Sequence, residues 1–439
     1  MPITSSRSAS RFPSRLSLSG RIRPFQRPAM GMFAGMLLGV VALVLPMTAQ
    51  AGGASPEISQ ILFSLFCLVS SAQILGWLAA RLGQPRVIGQ VLAGVLVGPS
   101  LLGLVEVSVT LQALAEFGAI FLMFMVGLET RLKDLMAVGK EALLVALLGI
   151  ALPMVGGYLF GMFNDLNRMQ SLFIGTAMVA TSVGITAQVL KELNVLDSQY
   201  ARIIMGAAVI DDILGLAILG VVSGMASGGD ITVSGIAGTL AISIGFVVAV
   251  LLIGVPLINR LQQRINPMMV SGGFAVCISL SLGFASLSSV AGLAPIIGAF
   301  LIGMVLAEVR GQYDFDDKVH ALESFLAPVF FAMVGVQLPL ALLANSTVLI
   351  NGTVLTIIAI LGKWIGGLVI APMQGWTTAN KVGVGMVPRG EVGLIVVGIG
   401  LSTGMITPVI FAEIVVMIVA TTVMAPLVLR KMILSRPST

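Results

Sequence analysis

The sequence predicts an all-α polytopic membrane protein with about thirteen transmembrane helices after an N-terminal leader. Three observations support this. Of the 439 residues, 57% are hydrophobic and only 10% charged, with a mean hydropathy of +1.07, whereas soluble domains carry roughly 25% charged residues. Apolar runs of about 20 residues recur along the chain, each long enough to cross a ~30 Å hydrocarbon core as a helix. The period-2 alternation of a membrane barrel is absent.

Residues 1–30 hold six arginines (Arg7, Arg11, Arg15, Arg21, Arg23, Arg27), many serines and no acid. An apolar stretch, Met30–Pro46, leads to the small-x-small pair Ala49 and Ala51. Residues 1–51 therefore resemble a signal peptide cleaved after Ala51. The Ser/Arg-rich, acid-free composition equally resembles an organellar transit sequence, and a retained anchor helix is a third reading.

Beyond Gly52, thirteen apolar segments centre near residues 70, 95, 120, 152, 181, 211, 246, 278, 298, 331, 359, 391 and 418. Lysine and arginine in the short connections set the orientation. Fifteen basic residues, from Arg81 to Arg436, fall on one side and only Arg168 on the other. The C-terminus is thus expected in the cytoplasm, or in the stroma of an organelle. Cys67 and Cys277 lie inside apolar runs and imply no disulfide framework. A single histidine, His320, makes a zinc or haem site improbable, and no cofactor is expected.

Two basic residues, Lys363 and Arg389, remain inside expected spans. Charge at mid-membrane costs roughly 2.5–3.5 kcal/mol on insertion scales and marks a pathway or a paired site. The clearest case is Asp211-Asp212 in the sixth span, flanked on each side by about ten largely apolar residues. Neighbouring helical positions point about 100° apart, so one acid can face a fixed cation while the other faces a water-filled cavity. A cavity carboxylate able to hold either a proton or a cation supplies the minimum chemistry of exchange. Lys363, central in the eleventh span, is the natural partner.

Two segments read as broken helices. Thr181-Ser182-Val183-Gly184-Ile185-Thr186 packs three hydroxyls and a glycine into the fifth span. Pro388-Arg389-Gly390-Glu391 places Pro, Gly and an Arg/Glu pair in the twelfth. Proline removes a donor and glycine loosens the helix, and such backbone is tolerated at depth only against protein or water. Interrupted helices at matching positions of two inverted repeats mark a secondary-transporter site. Spans 2–6 against 9–13, with span 7 as linker, give inverted five-helix repeats. Arg389 and Glu391 are expected to neutralise each other and the half-helix ends, and Glu129 and Glu323 to be structural. Asp314, Asp316 and Asp317 read as a solvated acidic loop.

At these residues the chain resembles the monovalent cation:proton antiporter-2 family, in the branch of NapA-type sodium–proton antiporters and Kef-type potassium systems. The matching stretches run in order from Gln84-Pro85-Arg86-Val87-Ile88-Gly89-Gln90 and Gly98-Pro99-Ser100 through Phe124–Glu129, Thr181–Thr186 and Ile210–Asp212. They continue with Pro328–Phe331, Lys363 and Pro388–Glu391. The resemblance implies a NapA/NhaA-like antiporter domain over residues 56–432, with a short tail at 433–439. It implies an ion-transporting core at 142–223 and 346–430 that moves, elevator-like, against dimerisation helices at 58–135 and 268–343. It further implies a homodimer embedded in lipid, in a prokaryotic plasma membrane or a thylakoid or other organellar membrane, with no nucleic-acid partner. Asp212 would bind Na+ (or Li+) or a proton, with Asp211 beside it paired to Lys363. Thr181, Ser182 and Thr186 would adjoin the ion. A K+/H+ or mixed exchanger of the Kef type is the alternative. An intramembrane aspartyl protease would need its acids on different helices, one in a Gly-x-Gly-Asp context that is missing here. A channel would conduct without moving protons.

Overall fold

Apolar surroundings force every backbone N–H and C=O to be satisfied within its own segment, so a chain of this composition becomes helical wherever it is long enough. The computed structural model describes residues 56–226, 233–308, 316–337 and 345–435. The leader at 1–51, Asp314 and residues 436–439 lie outside the described residues, as does the Asp316 side chain.

The helices are α1 (Pro56–Arg81), α2 (Arg86–Val97), α3 (Val109–Leu128), α4 (Leu132–Ala137), α5 (Gly139–Phe163), α6 (Arg168–Val179) and α7 (Val183–Glu192). Then come α8 (Gln199–Ala226), α9 (Val233–Ala249), α10 (Val255–Val290), α11 (Pro295–Ala307), α12 (Asp316–Val336) and α13 (Ser346–Leu368). The short α14 (Ala371–Gln374) precedes α15 (Trp376–Gly385), α16 (Glu391–Ser402) and α17 (Pro408–Leu434). Among the described residues, ten helical spans are long and apolar enough to cross a membrane. Three shorter apolar helices lie at Arg86–Val97, Pro295–Ala307 and Val392–Leu401. One of the ten, Arg168–Glu192, is the broken pair α6 and α7.

Side chains close the orphaned helix starts where the sequence offers them. Ser108 accepts from the Leu111 amide at α3, and Asn167 and Gln170 form a reciprocal capping box at α6. The charged connection expected around Arg260 and Arg264 is instead helical. A single π turn, Val250–Gly254, joins α9 to α10. The backbone first leaves helical geometry at Gly272 (φ −144°, ψ 25°). Arg-Leu-Gln-Gln-Arg are all good helix formers, so polarity alone does not end the helix there.

The helices pack in two groups. In the first, α3 lies against α11 and α12, α2 against α12, and α10 against α11. In the second, α5 contacts α6, α8 and α13, α13 contacts α15 and α17, and α16 contacts α6. Small residues allow the close approach that apolar surroundings reward. In the first group, a Cβ on Gly127 would lie 3.0 Å from the Gly303 Cα, and one on Gly94 would overlap the Ala332 carbonyl. In the second, a Cβ on Gly366 would lie 3.0 Å from the Gly149 Cα. Contacts between the groups run mainly through α7, against α3 and α2, and through α17 against α2. Replacing Gly94 by Val should lower the thermal midpoint of the purified protein in detergent, because overpacking costs about 1–3 kcal/mol. An unchanged midpoint would show that α2 and α12 can separate freely.

Candidate functional site

The two interrupted helices meet at their breaks. α6 stops at Val179, and Ala180 turns to extended geometry (φ −57°, ψ 135°). α15 stops at Gly385 and α16 restarts at Glu391. The Ser182 amide donates to the Pro388 carbonyl at 2.8 Å. The Thr186 hydroxyl donates to the Gly385 carbonyl at 2.7 Å, and the Thr181 hydroxyl to the Met386 carbonyl at 3.4 Å. Backbone groups freed by one break are thus satisfied by the other, as buried polar groups require. Gly390 makes the approach possible, because a Cβ there would sit 2.6 Å from Ser182 Oγ.

Arg389 is fully buried at this crossing. Its Nη1 donates to the Ala180 carbonyl at 2.9 Å and to the Val179 carbonyl at 3.5 Å. These carbonyls end α6, where the helix dipole leaves partial negative charge that a guanidinium complements. The Thr422 hydroxyl of α17 donates to the Arg389 carbonyl. The expected Arg389–Glu391 neutralisation is described only on its arginine half, since the Glu391 side chain lies outside the described residues.

Asp211 and Asp212 sit midway along α8. Lys363 Nζ of α13 donates to Asp211 Oδ1 at 2.7 Å, with both side chains at 0% exposure. Gly149 of α5 gives the lysine room: a Cβ there would lie 3.3 Å from Lys363 Cδ and 3.5 Å from its Nζ. Asp212, one residue on, is 6% exposed. The structure therefore brings Asp211 and Lys363 into direct contact, and it crosses the Thr181, Ser182 and Thr186 segment with Arg389.

Two cavities lie between the helix groups. One, of about 830 Å³ and largely polar, is lined by Arg86, Glu129, Lys191, Glu192, His320 and Arg430 among others. These residues come from the side that the charge bias marks as basic. Glu323 lines it too and pairs with Lys191 at 2.7 Å, joining α12 to α7. The other cavity, of about 380 Å³ and largely apolar, lies between α3, α11, α12 and α16, with Glu116 in its wall. Phe331 faces the first cavity and Phe330 the second, their rings 5.0 Å apart.

Reading the sequence missed Glu413 of α17, a buried acid that accepts from Asn351 Nδ2 of α13 at 2.7 Å. A lone acid inside an apolar run was the available signal. Glu192 was also missed. It accepts from the Arg86 amide at 3.1 Å, across 106 residues of sequence, and nothing local announces that contact.

The family model described as sodium/hydrogen exchanger, transmembrane, matches residues 68–434. The chain belongs to that family. It is 35% identical to the high-affinity Na(+)/H(+) antiporter NhaS3 of Synechocystis, over 87% of this chain and 92% of that protein. It is also 35% identical to the Na(+)/H(+)-K(+) antiporter GerN of Bacillus cereus, over 84% and 96% respectively. Its fold is similar to that of the sodium proton antiporter MjNhaP1 from Methanocaldococcus jannaschii. That match has a TM-score of 0.59 at 18% identity, covering 85% of this chain and 96% of that one. The protein is accordingly a multi-pass cation/proton antiporter, a transporter rather than a catalyst of bond chemistry.

In this antiporter, removing the lysine strands a buried carboxylate, and breaking a buried ion pair costs about 3–5 kcal/mol. Lys363→Ala should therefore lower the thermal midpoint in detergent, and Asp211→Asn added to it should recover part of the loss. Additive losses in the double variant would show that the two side chains are not energetically coupled.

Proposed function

We propose that the chain exchanges Na+ (or Li+) for H+ by alternating access, with Asp212 holding either the cation or the proton. Asp211 stays paired with Lys363 until a proton or cation arrives, and the lysine is then released. The observation that carries this reading is the fully buried Lys363–Asp211 contact at 2.7 Å, with a second, slightly exposed carboxylate at the next position. Two unit charges in a low-dielectric interior hold each other strongly. A cation or proton reaching the neighbouring carboxylate changes that local balance.

The crossed breaks provide the surroundings an ion needs. Thr181, Ser182 and Thr186 supply hydroxyl oxygens beside unwound backbone, and Arg389 offsets the α6 terminus. Sparse contact between the two helix groups, with a cavity on either side, supports an elevator-type movement of α5–α8 and α13–α17 against α2, α3, α11 and α12. Thirteen crossings, inverted five-helix repeats, a homodimer and a cytoplasmic C-terminus complete the proposal. They rest on the loop charge bias, the paired breaks and the family resemblance.

A second reading, exchange of K+ or of both cations, draws on the relative whose name includes K(+). Asp212→Asn should abolish cation-driven proton movement in proteoliposomes while leaving the thermal midpoint close to that of the parent. Substantial residual exchange would remove Asp212 from the central role. With the unmodified protein, Na+ and Li+ should collapse an imposed pH gradient at lower concentration than K+. A response to K+ alone would replace the sodium reading with the potassium one.

A further inference from the structure

Two consecutive residues at the end of α7, Lys191 and Glu192, take no part in the exchange site, yet both reach across the boundary between the helix groups. Lys191 Nζ donates to Glu323 Oε2 of α12 at 2.7 Å. The two side chains are only 14% and 5% exposed, so solvent screens this pair far less than an exposed one. Glu192 Oε2 accepts from the Arg86 amide of α2 at 3.1 Å. All four residues line the 830 Å³ polar cavity.

Each contact answers a local need. The first amides of a helix have no partner within it, and Pro85, which precedes α2, supplies no side-chain cap. Glu192 caps α2 instead, from 106 residues away, and a carboxylate at a helix N-terminus also complements the dipole there. Gln188, one turn back on α7, holds the other oxygen of that carboxylate, its Nε2 donating to Glu192 Oε1 at 3.0 Å. Neighbouring helical positions point about 100° apart, so Lys191 and Glu192 grip two different helices, α12 and α2. The Arg86 partner is backbone and cannot follow a moving α7 by changing rotamer. The start of α7 is fixed to the crossed breaks by the Ser182–Pro388 and Thr186–Gly385 hydrogen bonds. α7 therefore couples the breaks at one of its ends to α2 and α12 at the other.

We propose that Lys191 and Glu192 form a latch that holds the ion-transporting group to α2 and α12 in the arrangement seen here and lets go in every transport cycle, a reading that rests on the proposed movement of one helix group against the other. With the latch intact this arrangement dominates. With it removed, a second arrangement gains population, because only contacts that differ between two states shift their balance. Removing one partner of the ion pair would leave the other desolvated without a counter-charge, so both are changed together.

Two measurements test the latch in a Cys67→Ala, Cys277→Ala background. In proteoliposomes, Lys191→Cys and Glu323→Cys are bridged by a short, reducible thiol-specific cross-linker. Bridging should slow cation-driven proton movement at least tenfold, and reduction should restore it. The reagent should not change the rate of either single-cysteine variant. In lipid nanodiscs, spin labels at the exposed positions Asp197→Cys and Lys318→Cys, one on each side of the boundary, report the separation of the groups. Without latch substitutions, one separation should dominate. Lys191→Met with Glu323→Gln, which leaves no charge unpaired, should at least double the share of a second separation. The swap Lys191→Glu with Glu323→Lys should return the distribution toward that of the parent, which restored packing alone would not do. Exchange that continues in the bridged protein, a neutral pair indistinguishable from the parent, or a swap indistinguishable from the neutral pair each overturns the latch. If the neutral pair fails to fold, the cross-link decides. If the unmodified protein moves no protons, the proposed function fails, and the label separations still decide the latch.

Discussion

A lysine ammonium and an aspartate carboxylate, both without solvent exposure, meet at 2.7 Å in the interior of this protein, and much of the surrounding structure serves to make that contact tolerable. Each charge alone would pay a desolvation penalty of several kcal/mol, repaid only by close, well-oriented pairing. Pairing requires α8 and α13 to be held at fixed separation, and α5 lies against both to do so. Its Gly149 leaves room for the lysine stem, and its Pro153 packs against Gly362, the residue before Lys363 on α13. The pair then sits beside a second carboxylate, Asp212, at the next position of α8.

The helices nearby are broken, whereas an unbroken helix satisfies all its own backbone groups. Interrupting α6–α7 and α15–α16 exposes carbonyls and amides at depth, and crossing the two breaks lets each satisfy the other. The Ser182–Pro388 backbone contact and the Thr186–Gly385 contact are the stitches. Arg389 complements the carbonyls that end α6, so the crossing carries its own counter-charge. Polar backbone is thereby kept at depth without being left unsatisfied.

Between the two helix groups the packing changes character. Within each group, glycines permit backbone-to-backbone approach. Across the boundary lie cavities and a few polar links, including Lys191–Glu323 and Arg86–Glu192. Contacts that are individually weak and directional can be exchanged for others, whereas interdigitated cores resist sliding. Phe330 and Phe331 lie at this boundary, one on each cavity.

Composition and apolar run length determined the all-helical membrane class, because bilayer chemistry leaves a chain this apolar few alternatives. Asp211, Asp212, Lys363 and Arg389 were legible for the same reason: a charge in an apolar run stands out against its neighbours. The breaks were legible as hydroxyl, glycine and proline clusters that helices avoid. Only the tertiary structure decided which partners these groups take. Asp211 and Lys363 are 152 residues apart, Thr186 and Gly385 are 199 apart, and no local pattern encodes such pairings. It also decided that the chain around Arg260 is helical, since helix propensity there outweighs polarity. Glu192 carries no local signal either, because its contact with the Arg86 amide is set by packing rather than by sequence proximity.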